Sequence, residues 1–174
     1  KIMARSSFLL LFVLFAFAFP LKAEEVKQIP TFADYATEQS AFTSTTTLDV
    51  SKYEDKFYKN LLKKEFSKEA DLANHYSVLS VTCGANCQTN FIANKQTGEI
   101  IGNIGTTLDL DYNINSSLLV ADQYTLPLDK PFYQNPVAGD VRFYIIEDNE
   151  VILLTQMSQQ DYYNLKKSEL NNAD

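Results

Sequence analysis

Apolar residues keep two rhythms along this chain, and the change falls close to residue 76. Upstream, Tyr53, Phe57, Tyr58, Leu61, Leu62 and Phe66 recur at the three-and-four spacing of a single helix face. Ser51 followed by Glu54 has the form of a capping box, in which a hydroxyl and a carboxylate satisfy free amides at a helix start. The spacing therefore predicts an amphipathic helix over 51–70. Lys52, Lys56, Lys59, Lys63 and Lys64 lie mostly off the apolar stripe, with Glu54, Asp55 and Glu65 diluting their charge. That dilution favours packing on a sheet over lying on a membrane surface. Before the helix, residues 24–50 read as an extended segment, a linker or an edge strand, with a polar β-branched tract at 43–47.

From Tyr76 the period becomes two, that of strands. Val78, Leu79 and Val81 lead into a cysteine turn, Phe91 and Ile92 leave it, and Gly98 ends a turn at 94–98. A strand over 99–104 follows, and residues 108–115 alternate Leu, Asp, Leu, Asp, Tyr, Asn, Ile, Asn, which predicts one buried and one wet face. Residues 117–121 are apolar enough for a central strand, and Pro127, Pro131 and Pro136 mark a loop. Residues 141–146 and 151–156 flank 147–150, read as a four-residue hairpin connection. Ser158 with Asp161 caps a last helix over 158–170. The prediction is a mainly β (α+β) domain over 51–174. It takes the form of a single antiparallel β-sheet, a sandwich or a propeller-blade-like arrangement, its sheet spanning 76–156 between the two helices.

The first residues change the compartment. Lys1 and Arg5 give a basic head, residues 8–19 are unbroken Phe, Leu, Val and Ala, and Ala23 offers a small residue after Pro20. This is the form of a secretory signal peptide over 1–23, shorter than the roughly 20 apolar residues that a spanning helix needs. No later stretch is long enough to span. The 15 basic and 22 acidic residues give a formal charge of −7; a leader carrying Lys1, Arg5 and Lys22 takes the remainder to −10 when removed. An acidic surface repels phosphate backbones, which excludes nucleic acid and fits a basic protein or peptide partner. The expected location is periplasmic or secreted.

Export sets the chemistry of the two cysteines. Cys83 and Cys87 face each other across the mouth of a hairpin, within reach of a disulfide, and an oxidising compartment closes it. A Cys-x-x-Cys redox pair needs a shorter spacing and a helix start, and zinc needs further ligands, whereas His75 is the only histidine. No cofactor is expected. His75 and Tyr76, together with Asp109 and Asp111, form the candidate ligand or partner site. A hydrolase would have to pass its proton through His75, with Asp109 or Asp111 as carboxylate; no Gly-x-Ser-x-Gly elbow surrounds it. The bland reading is a histidine at a strand entrance donating to a backbone carbonyl. Asp109, Asp111, Asn113 and Asn115 begin like a calcium loop, but Ile114 and Val120 stand where glycine and glutamate are required.

Several of these segments together resemble a group of small exported bacterial proteins that have no established activity. The shared stretches are Phe57-Tyr-Lys-Asn-Leu61, Asp71-Leu-Ala-Asn-His75-Tyr76, Cys83-Gly84-Ala-Asn-Cys87-Gln88, Lys95-Gln-Thr97-Gly98-Glu-Ile100, Leu110-Asp111-Tyr112 through Ser117-Leu118-Leu119-Val120, and Val141-Arg142-Phe143-Tyr144 with the final hairpin. The Cys-Gly-x-x-Cys-Gln turn followed by Thr-Gly is its most specific part. The resemblance implies an exported β protein and carries no reaction. The functional expectation is a non-enzymatic binding or inhibitory module using an acidic surface or an exposed strand edge; the alternatives are a hydrolase centred on His75 and a structural component of the envelope.

Overall fold

Val78 and Leu79 are neighbours in sequence and belong to different cores. The structure, a computed structural model, describes residues 28–38, 46–123, 127–133 and 135–172. The leader expected over 1–23, and residues 43–45 of the β-branched tract, lie outside the described residues. In chain order the elements are α1 (Lys56–Phe66), β1 (Tyr76–Gly84), β2 (Cys87–Asn94), β3 (Ile100–Thr106), β4 (Leu110–Tyr112), β5 (Leu118–Ala121), β6 (Val141–Glu147), β7 (Glu150–Met157) and α2 (Gln159–Asn171).

The strands form two antiparallel sheets, β1-β2-β3 and β4-β5-β6-β7, where a single sheet was one of the expected forms. Two-residue alternation explains the layering. Val78, Ile92 and Ile104 of the first sheet meet Leu110, Leu119, Ala121 and Ile146 of the second in a shared central core. Their neighbours Leu79, Val81, Phe91 and Ala93 point outward and are covered by Leu62 and Phe66 of α1 and by Leu48 and Val50. On the far side, Leu118, Val120, Val141 and Phe143 are covered by Tyr162 of α2 and by Ile29. The result is a four-layer sandwich, helix–sheet–sheet–helix, with a core on each side of each sheet and edge strand β7 left largely exposed. The extended segment expected over 24–50, read as a linker or an edge strand, is thus woven in at Ile29, Leu48 and Val50.

The crossing from β3 to the second sheet is held by Asp122, whose carboxylate accepts hydrogen bonds from the amides of Thr107 (2.6 Å) and Leu108 (2.9 Å). Arg142 reaches from β6 to that carboxylate and to the Gly105 carbonyl of β3, tying the sheets at one end. At the opposite end Asn149 does the same: its side-chain oxygen accepts from Asn94 (2.7 Å) and from the Tyr76 hydroxyl (3.3 Å).

Several local expectations are corrected. Helix α1 begins five residues late because Asp55, not Ser51, is its N-cap, accepting from the Tyr58 amide at 2.7 Å. Ser51 instead donates its amide to the Asp49 carboxylate, and the chain turns at Ser51 and Lys52, where the Tyr53 amide reaches the Val50 carbonyl. The later start puts Tyr58, Leu62 and Phe66 inward and leaves Phe57 exposed. The helix stops at Phe66, where Lys95 donates to the Phe66 and Lys68 carbonyls. The alternation over 108–115 forms a strand only at Leu110–Tyr112, since Asn113 accepts from the Asn115 amide and turns the chain. The β6–β7 connection is two residues, Asp148 and Asn149 at φ 50° and 62°, the left-handed pair that suits a tight hairpin. Gly98 does take positive φ (76°), and a Cβ there would lie 2.2 Å from the Thr47 carbonyl oxygen. Ser158 caps α2 as read, accepting from the Asp161 amide at 3.1 Å.

Candidate functional site

The chain enters β1 through a cramped turn. Ala73 and Asn74 take φ 44° and 65°, and the Tyr76 amide returns to the Leu72 carbonyl at 2.9 Å. Asn74 is the hub: its backbone amide donates to the Ile114 carbonyl, and its side-chain amide to the Thr37 hydroxyl and the Glu38 carbonyl, both at 2.8 Å. This brings residues 37 and 38 beside the start of β1, where the β6–β7 turn also arrives. The three segments enclose a cleft of about 240 Å³ lined by Glu38, Asn74, His75, Tyr76, Ser117 and Asp148, among others. The His75 ring lies 4.2 Å from the Tyr76 ring, centroid to centroid. Burial holds the imidazole below the usual histidine range, and a hydrogen bond with the Ala73 carbonyl partly offsets that. At neutral pH the ring is therefore uncharged.

Asp109 and Asp111 do not line this cleft, so His75 has Glu38 and Asp148 as its carboxylate neighbours there. Asp111 pairs with Val120 on edge strand β4, next to Tyr162 of α2. Partial burial and then the neighbouring Asp109 push its carboxyl up, and burial pushes the Tyr162 hydroxyl up to about 12. Tyr76 also has a framework duty through Asn149. Cys83 and Cys87 form the disulfide, with Cα atoms 5.1 Å apart, at the exposed tip of the β1–β2 hairpin. Among the described residues no group of three His, Cys, Asp or Glu side chains could hold a metal ion.

A second feature lies along one long side of the sandwich. There β3 and β7 are the edge strands of their sheets and pack on one another, close enough that a Cβ on Gly102 would meet Val151 at 2.9 Å. Residues 100–103 of β3, with Asp49, Tyr53 and Glu99, line a groove of about 550 Å³. Beside it, Ile152, Leu153 and Leu154 of β7 are 38%, 48% and 39% exposed. Leu154 is the extra residue of a bulge, opposite the step between Phe143 and Tyr144. No described residue pairs with the outer edge of β7. Sequence reasoning missed this, because a Val-Ile-Leu-Leu run has the look of a buried strand. It also missed Glu38 and Asp148, which lie far from His75 along the chain and carry no local motif.

Compared with known protein families, with curated proteins and with solved structures, the chain matches none.

Proposed function

We propose that this protein is an exported, non-enzymatic binding module that accepts an extended segment of a basic protein or peptide along the β3–β7 side. The observation that carries the reading is the run Ile152, Leu153 and Leu154, exposed on an edge strand whose outer edge has no described partner. Edge strands of soluble proteins are normally protected by Lys, Pro or a covering loop, because a bare edge is a template for another strand. Recognition by strand addition uses this arrangement: the backbone supplies hydrogen bonds, and side chains at alternate positions supply selectivity. Charge favours a basic segment, since Glu147, Asp148 and Glu150 crowd the hairpin end of β7 and Glu99 lies at the start of β3. The basic leader and the exposed disulfide both suit a protein that works outside the cytoplasm.

The test is a selection from a library of soluble peptides alternating apolar and basic residues. A selected peptide should slow hydrogen exchange at β7 amides, and Leu153→Lys should weaken it by about tenfold or more, the effect of about 1.4 kcal/mol. Leu170→Lys, at an exposed leucine on α2, should leave it unchanged. Protection elsewhere, or equal binding by Leu153→Lys, defeats the reading. Fractionation of cells making the full chain should recover it outside the cytoplasm.

A further inference from the structure

We propose that the His75 cleft is a binding site for one organic cation, an ammonium or guanidinium group on a short aliphatic stem. The inference does not depend on the strand-edge reading and shares only Asp148 with it. Three observations meet in the cleft. First, Glu38 and Asp148 both line it, and neither has an ion-pair or hydrogen-bond partner for its carboxylate among the described residues. Lysine and arginine are absent from its described lining, so among the described residues the two charges have no internal counter-ion. Second, the adjoining His75 and Tyr76 rings, tilted by 37°, border the same space, and an aromatic surface attracts a cation electrostatically. Burial keeps the imidazole neutral, so it does not oppose a positive guest. Third, the size is selective: about 240 Å³ is below the 300–1,000 Å³ typical of drug-sized ligands and suits a single functional group with its stem.

The walls are also set in advance. Asn74 binds Thr37 and Glu38 to the entrance of β1, and Asp148 sits in a two-residue turn whose neighbour Asn149 is bonded to Asn94 and Tyr76. A guest therefore has little chain to order, which is where binding free energy is commonly lost. Such a cation could arrive as a Lys or Arg side chain of a polypeptide or as a free small amine. The chemistry recognised is the same.

His75 is the only histidine in the chain, so its imidazole resonance is a single reporter at the site. The protein would be titrated with N-acetyl-lysine and N-acetyl-arginine methylamides, with butylamine, and with N-acetyl-norleucine methylamide as the uncharged isostere. Saturable shifts of the His75 signal are expected with the cations, with affinity at least tenfold weaker for norleucine. Tighter binding of the amides than of butylamine assigns the guest as a side chain within a polypeptide; the reverse order assigns a free amine. The variant carrying Glu38→Gln and Asp148→Asn, with an unchanged amide spectrum to show that it is folded, should lose at least tenfold in affinity. Equal binding of norleucine, undiminished binding by that variant, or no saturable shift with any cation overturns the proposal.

Discussion

At the ends of the layer between the two sheets, buried and half-buried polar side chains bond to one another across the sheets. Along the side where β3 meets β7, apolar side chains are exposed and no described residue pairs with the outer edge of β7. One end holds Arg142, the almost completely buried Asp122 and the buried Asn90, whose side-chain amide donates to the Ile104 carbonyl and the Thr106 hydroxyl. The other holds Asn149, Asn94 and Tyr76. Among the described residues, no buried side-chain nitrogen or oxygen lacks a partner. Bonded polar ends fix how the sheets register on each other, and that frees one long side from having to be closed. Stability and recognition are thus assigned to different parts of the same sandwich.

The sharpest way to break this contrast is Asp122→Ala. It leaves the amides of Thr107 and Leu108 and the Arg142 guanidinium without their shared acceptor at a nearly buried position. Removing one partner of a buried pair costs about 3–5 kcal/mol, whereas Leu153→Ser on the open side should stay within about 0.5 kcal/mol. Urea denaturation of both variants measures the difference. If the two lost equal stability, the ends would not be what holds the sheets together.

The disulfide sharpens the comparison at the same end. Cys83 and Cys87 lie at an exposed hairpin tip, where the bridge touches no core residue cluster. Its contribution comes from closing a short loop in the unfolded chain, about 2 kcal/mol. Replacing both cysteines by serine should lower Tm by about 4–8 °C, at 2–4 °C per kcal/mol for this size, while leaving amide signals of the Asp122 network in place. A loss as large as that of Asp122→Ala would mean that the tip organises the end of the sandwich.

How much of this was legible beforehand follows from the physics of each signal. Period-two alternation marked the change to strands at Tyr76, because each strand presents successive residues to opposite faces, but it did not assign Val78 and Leu79 to different cores. The Ser158 cap was readable because its partner Asp161 is three residues away. The equally local Ser51–Glu54 pattern misled, since Asp55 offers its carboxylate to the Tyr58 amide and wins the cap. That β3 and β4 belong to different sheets could not be read, because alternation says which face a residue takes and not which strand lies beside it. The cleft was half legible. His75 and Tyr76 drew attention as a rare residue beside an aromatic, but Glu38 and Asp148 reach them only through the tertiary ties of Asn74 and Asn149. The cross-sheet placement that brings β7 to an edge is likewise a long-range fact, and no local composition announces it.

The smallest expected effect concerns Asp71, near the cleft end, which accepts from the Val78 amide (3.0 Å) and the Tyr112 hydroxyl (3.4 Å). Burial raises its carboxyl above the usual value, outweighing those hydrogen bonds, and burial with the adjacent carboxylate lifts the Tyr112 hydroxyl to about 12. The folded state therefore holds the Asp71 proton more tightly than the unfolded chain does. Stability from this group is present below the unfolded pKa and is lost as pH rises through the folded one. Asp71→Asn keeps an acceptor for Val78 and cannot ionise, so its Tm relative to the parent should climb as pH rises from about 3 to about 6. The other carboxylates are common to both proteins and cancel in that difference. The climb should stay below about 4 °C, what 1 kcal/mol produces at this size. A difference that is flat, or that falls with pH, would show that the bonds from Val78 and Tyr112 outweigh burial, making this end as fully compensated as the Asp122–Arg142 end.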